Sequence, residues 1–208
     1  MDGRDESATR PVLLVHGFGD VSASPWWETL ADRLDAAGYE NGVETLNMGA
    51  VPGTTLWSPV CYARLIGRAA ERLHETHGEP PGVVAHSMGG LGARWYVEQR
   101  GGAPNVDNLV TLGTPHRGSR LAYLGAWTPG GQAMLPGSPF LRRLNDDPPP
   151  AGVDYTAIWS EEDGLIRPTE YAKLPFETDN VANRRVSGTG HMGLVSDPSV
   201  FRRYVDAL

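Results

Sequence analysis

Gly82-Val83-Val84-Ala85-His86-Ser87-Met88-Gly89-Gly90 joins an apolar run to a helix-like stretch that reaches Gln99, and this join decides the fold. A serine in a tight strand-to-helix turn holds its hydroxyl out at the tip of a sheet, and small neighbours let the backbone bend. The usual spacing is G-x-S-x-G; here Ala85 stands in for the first glycine, a single methyl that such a turn tolerates two residues before the serine. The pattern reads as a nucleophile elbow. Five residues also recur by chance in ordinary strand-to-helix loops, so the rest of the chain has to supply partners.

A serine hydroxyl is a poor nucleophile at neutral pH until a general base takes its proton. In folds built around this elbow the partners follow the serine in the order carboxylate, then histidine, which sets aside His16, His74, His77 and His86. His116 comes directly after the strand-like segment Asn108–Leu112. His191 lies in Ser187-Gly188-Thr189-Gly190-His191-Met192-Gly193, a glycine-studded loop able to carry an imidazole back over the serine, and is the expected base. The carboxylate that orients it should end a strand between the two. Residues 153–159 alternate apolar and aromatic side chains and run into Ser160-Glu161-Glu162-Asp163-Gly164. Asp163 stands where the chain turns back toward the core at Leu165-Ile166 and is the expected acid, with Glu161 and Glu162 as the alternatives.

Attack on a carbonyl also needs donors for the developing oxyanion. One is the backbone N–H after the nucleophile, that of Met88. Val12-Leu13-Leu14-Val15 reads as a buried parallel strand and opens straight into His16-Gly17-Phe18-Gly19, so the Phe18 amide is the expected second donor.

Four blocks, Val15-His16-Gly17-Phe18-Gly19, Ala85-His86-Ser87-Met88-Gly89-Gly90, Val110 through Ser119, and Gly190-His191-Met192-Gly193-Leu194, resemble those of bacterial triacylglycerol lipases and esterases of the α/β-hydrolase superfamily. The resemblance covers about residues 11 to 200 in the same order, and the small, lidless members of that family also carry alanine at the position of Ala85. It implies Ser87 as nucleophile, Asp163 as acid, His191 as base, and the amides of Phe18 and Met88 as oxyanion hole. The blocks around Asp163 match most loosely.

The 208 residues fit one domain, residues 11–208 after a tail over 1–10, with a mostly parallel sheet of about five to seven strands and helices on both faces. A net charge of −7 argues against nucleic acid or an anionic membrane surface as partner, and Lys173 is the only lysine. Cys61 is the only cysteine, so no disulfide forms within the chain; a small apolar filler on a helix is its expected role. The charged start lacks a signal-peptide core and no apolar run is long enough to span a bilayer, which predicts a cytoplasmic monomer, or a secreted one if a leader was removed. No cofactor and no metal are expected.

Ser24-Pro25-Trp26-Trp27-Glu28 predicts a helix start with Ser24 as N-cap, running to about Ala37. Residues 44–48 read as a brief strand and Pro59–His77 as the longest helix. Residues 119–152 are irregular, with 127–131 as a loop and a short helix from Ser138 to about Leu144; the stretch is either a small flap over the site or a plain surface connection. Trp26 or Trp27, following the oxyanion loop, is the expected wall of the acyl pocket. The resulting expectation is a hydrolase of carboxylic esters or acylglycerols with an open site and transient contact with a lipid interface. A thioesterase or acyltransferase with the same triad, and a non-catalytic binding protein on the same fold, are the alternatives.

Overall fold

Val12–Val15, Gly82–His86 and Asn108–Leu112 are buried along their whole length, the condition of strands inside a parallel sheet covered on both faces. The computed structural model describes residues 10–39, 42–49, 51 and 53–208, so the expected tail lies, but for Arg10, outside the described residues. Six strands, β1 (Val12–Val15), β2 (Val43–Leu46), β3 (Gly82–His86), β4 (Asn108–Leu112), β5 (Asp154–Ser160) and β6 (Val181–Val186), form one sheet in the order β2-β1-β3-β4-β5-β6. Every pairing is parallel. This is the α/β-hydrolase sheet that the sequence predicts.

Two apolar layers hold it. On one face α2 (Pro59–His77) and α3 (Met88–Gln99) pack Tyr62, Ile66 and Tyr96 against Leu13, Val83 and Leu109. On the other, α1 (Pro25–Ala36) packs Trp27, Leu30 and Leu34 with Leu194, Val200 and Tyr204 of the C-terminal segment against Val12, Leu14 and Val84. Burying each of these large side chains contributes about 1.5–3 kcal/mol, so the sheet is the rigid part of the molecule.

The sheet order reverses at β1, which has β2 on one side and β3 on the other. Chain connections leave the carboxyl ends of β1 and β3 in divergent directions there, and a crevice opens between them. The register places Val15 opposite Ala85, so the loop after β1 and the elbow after β3 start side by side.

Two expectations are corrected. Cys61 is exposed on α2 and fills nothing, because it points away from the face that carries Tyr62 and Ile66. The segment over 127–131 is partly helical: Thr128 caps α4 (Pro129–Ala133) by accepting the Gly131 amide, and Pro129 supplies the first turn. Beyond β6 the chain forms two short helices, α6 (Gly193–Ser196) and α7 (Pro198–Phe201), with α5 (Pro139–Leu144) preceding them in the chain. Pro198 has no N–H to continue the first helix, and Asp197 caps the second instead. Among the described residues no helix is long and apolar enough to cross a membrane.

Candidate active site

Ser87 sits between β3 and α3 with φ 54° and ψ −128°, and among the described residues no other non-glycine residue has a positive φ. Such a conformation costs about 1–3 kcal/mol and persists only where surroundings over-determine it. They do: the Ser87 amide donates to the Leu112 carbonyl at the end of β4 (2.9 Å), and its carbonyl accepts from the Gly90 amide (3.1 Å). The approach of the neighbouring loop requires glycine at 17, since a Cβ there would stand 2.8 Å from the Cβ of Ser87.

Of the three competing carboxylates, Asp163 faces the histidine. Its Oδ2 accepts from His191 Nδ1 at 2.7 Å, while Oδ1 accepts the amides of Leu165 (2.8 Å) and Ile166 (2.9 Å). Burial pushes the Asp163 carboxyl up, but the hydrogen bond and charge of His191 and the two amides outweigh it and hold it below the usual aspartate range. Glu161 pairs with Arg185 and Glu162 accepts from the Ser160 hydroxyl, so both alternatives are spent elsewhere. With a charged acceptor on Nδ1, the His191 proton belongs on Nδ1 and Nε2 is left free to accept.

The sequence reasoning set His86 aside because it precedes the serine, yet it touches the site. Its ring is buried, its Nε2 donates to the His191 carbonyl (3.1 Å), and the two rings lie 4.5 Å apart. Burial, and the neighbouring His191, hold it neutral by lowering its pKa well below the ordinary value. The elbow is thereby tied directly to the loop that carries His191. His116, the other late histidine, is buried away from the serine between Thr111 (3.0 Å) and Arg94 (3.3 Å).

Across the crevice, buried His16 accepts the Met48 amide on Nε2 (3.1 Å) and turns Nδ1 toward the Gly17 carbonyl (3.3 Å), which shapes the loop bearing Phe18. Met88 opens α3, where a first-turn amide has no intrahelical acceptor, and among the described residues the Phe18 amide donates to no backbone carbonyl.

Ser87 and His191 share a cavity of about 370 Å³ with Phe18, Asp20, Met134 and Ile166. Trp26 and Trp27 do not line it, which corrects the expected acyl wall: both indole N–H groups are drawn to Asp20 (3.1 and 2.9 Å), and Trp27 is wholly buried in the core. Trp127 lines it instead. Five of the nine large apolar side chains left exposed among the described residues, Leu121, Leu124, Trp127, Leu165 and Met192, surround this mouth, so exposure is concentrated at one place. Most of the rim belongs to the stretch after β4, a 3₁₀ turn over Arg120–Gly125 followed by α4.

The model of a family described as palmitoyl protein thioesterase matches residues 11–123. Among solved structures, the mature Bacillus licheniformis lipase BlEst2 superposes with a TM-score of 0.77 at 16% identity, covering 99% of this chain and 94% of that one. Aspergillus fumigatus lipase B gives 0.81 at 20% identity over 98% of this chain and 53% of that one. A monoacylglycerol lipase of Paleococcus ferrophilus gives 0.70 at 17% identity, with 95% and 93% covered. At these identities the likeness is one of fold.

Proposed function

The chain belongs to the palmitoyl protein thioesterase family, and from that premise we propose that it is a serine hydrolase that cleaves carboxylic esters through Ser87, His191 and Asp163. His191 Nε2 takes the proton of the Ser87 hydroxyl as the oxygen attacks the acyl carbonyl. The amides of Phe18 and Met88 hold the anionic oxygen of the tetrahedral intermediate, a stabilisation of about 2.7–4 kcal/mol per donor in a preorganised site. The intermediate collapses, the acyl–oxygen bond breaks, and His191 returns its proton to the departing alcohol. Water then repeats the sequence on the acyl-enzyme and frees the acid.

The observation that carries this reading is a buried 2.7 Å contact between Asp163 and His191 beside a serine held in a left-handed elbow of the same cavity. The apolar rim supports an acyl chain as the recognised part and transient contact with a lipid surface: Leu124 is 80% and Trp127 77% exposed, an arrangement that costs free energy unless something apolar covers it. A thioester is the second reading, favoured by the family description. It needs the same groups, with a thiol receiving the proton.

Labelling by a fluorophosphonate, read by mass at Ser87, tests the nucleophile. A chain-length series of p-nitrophenyl esters beside matched acyl thioesters separates the two readings. No labelling and no turnover of either class removes both.

A further inference from the structure

The two tryptophans that do not reach the acyl site have another task. Asp20 follows Phe18 by two residues, and each of its carboxylate oxygens accepts two hydrogens. Oδ1 takes the Val21 amide (2.8 Å) and the Ser24 hydroxyl (2.5 Å), and Oδ2 takes the indole N–H groups of Trp26 (3.1 Å) and Trp27 (2.9 Å). Ser24 is the N-cap of α1 but makes no side-chain cap; its hydroxyl is turned to Asp20 and donates to Oδ1. The carboxylate therefore sits at the positive end of a twelve-residue helix, where a negative charge is favoured.

The main chain of the same turn is pinned from the opposite side. Asp20 N–H closes onto the Gly17 carbonyl (3.3 Å), Gly19 N–H donates to Thr55 (3.1 Å), Gly53 N–H donates to Gly19 (2.8 Å), and the Thr55 hydroxyl donates to the Asp20 carbonyl (2.8 Å). Phe18 is the residue in the middle of this clasp.

We propose that Asp20 is the positioning residue of the oxyanion hole: its clamped carboxylate locks residues 17–20 onto the start of α1 and fixes where the Phe18 amide points. The proposal rests on the hydrolase reading above. A carboxylate lining the cavity would by itself oppose an oxyanion, and the four donors on its two oxygens offset part of that repulsion. A donor displaced by about 1 Å loses on the order of 10²-fold in rate, so the clamp has a kinetic signature distinct from lost folding.

The test is Asp20→Asn in the full chain, whose amide N–H opposes donors that a carboxylate accepts. Per site titrated with fluorophosphonate, kcat is expected to fall by about 10²-fold while KM changes by less than about 3-fold. Affinity for an alkyl trifluoromethyl ketone, whose hemiketal oxygen occupies the oxyanion position, should fall in parallel with kcat. Unchanged kcat and ketone affinity overturn the proposal, as does a loss of kcat with ketone affinity intact. Where Asp20→Asn does not fold, Trp26→Phe decides: it deletes one donor and keeps an aromatic side chain, and a smaller, parallel loss in both quantities is expected, with no change in either counting against the clamp. Failure of the wild-type chain to react with fluorophosphonate overturns the hydrolase reading instead and is seen before any variant is made.

Discussion

The two sides of the cavity are built on opposite principles. On the side of the sheet, at the carboxyl ends of its strands, polar groups are bonded and buried: Asp163, His191, His86 and His16 are each less than a tenth exposed and each holds a neighbour in place. On the side of the 3₁₀ turn over Arg120–Gly125 and α4, the lining is aliphatic and aromatic and much of it faces solvent. The difference separates two demands. Charge development needs fixed dipoles, because reorganising them during reaction raises the barrier. An acyl chain needs apolar area without direction, because the hydrophobic effect scales with area removed from water.

The sharpest break of the polar side is Ser87→Ala, expected to lower kcat by about 10⁶-fold with the fold intact, read by stopped ester hydrolysis and circular dichroism. Residual turnover within about 10²-fold of wild type would mean that the elbow is not the reacting element. Asp163→Asn is expected to cost about 10⁴-fold, since the amide favours the wrong histidine tautomer. Glu162→Gln serves as its control and should stay near wild type.

Gly89→Ala attacks the frame rather than the chemistry. A Cβ at position 89 runs into the carbonyl oxygens of His16 and Val15, both backbone atoms, so β1 and α3 must separate. Destabilisation of at least about 1–3 kcal/mol in urea unfolding is expected, together with lost activity.

Acid should also weaken the polar side. Burial holds His16, His86 and His116 below the ordinary histidine pKa, so the unfolded chain binds protons that the native one refuses. Stability then rises with pH through the window between their depressed native values and about 6.5 in the unfolded state, and is lost as pH falls through that window. Asp163 adds to the loss lower down, since its carboxyl is held below its unfolded value and its contribution disappears as pH drops through the native one. Thermal unfolding followed from pH 8 to pH 4 should show Tm declining below about 6.5; a flat profile would contradict neutral, buried imidazoles.

The smallest effects belong to the rim. Leu124→Ser and Trp127→Ser are expected to change stability by less than about 0.5 kcal/mol, because neither side chain is buried. They should raise KM for long-chain or emulsified esters by several-fold and leave short soluble esters unaffected. Equal effects on both substrate classes would show that the rim shapes the site instead of gripping the chain.

The elbow was legible because its chemistry is local: a serine, small neighbours and an apolar strand lie within ten positions of one another, and the backbone there has little choice. β6 was not. Val181–Val186 reads Val-Ala-Asn-Arg-Arg-Val, with three consecutive exposed residues, because an edge strand is free of the burial that writes an apolar pattern into the four strands between the edges. The tryptophans failed for another reason. Proximity to the oxyanion loop in sequence suggested a wall of the pocket, but side chains of successive helical residues point about 100° apart around the axis, and only the docking of α1 on the sheet shows that both indoles turn toward Asp20.

By itself the sequence determined the parallel sheet, the bend at Ser87 and which groups are proposed to move a proton, because strand burial, glycine spacing and side-chain chemistry are properties of short segments. The tertiary structure alone decided that Asp163 and not Glu162 meets His191, that His86 holds the His191 loop, and that the mouth is walled by Leu121, Leu124 and Trp127. Those outcomes depend on where segments tens of residues apart come to rest against a common sheet. That packing is a property of the whole chain, and no local pattern encodes it.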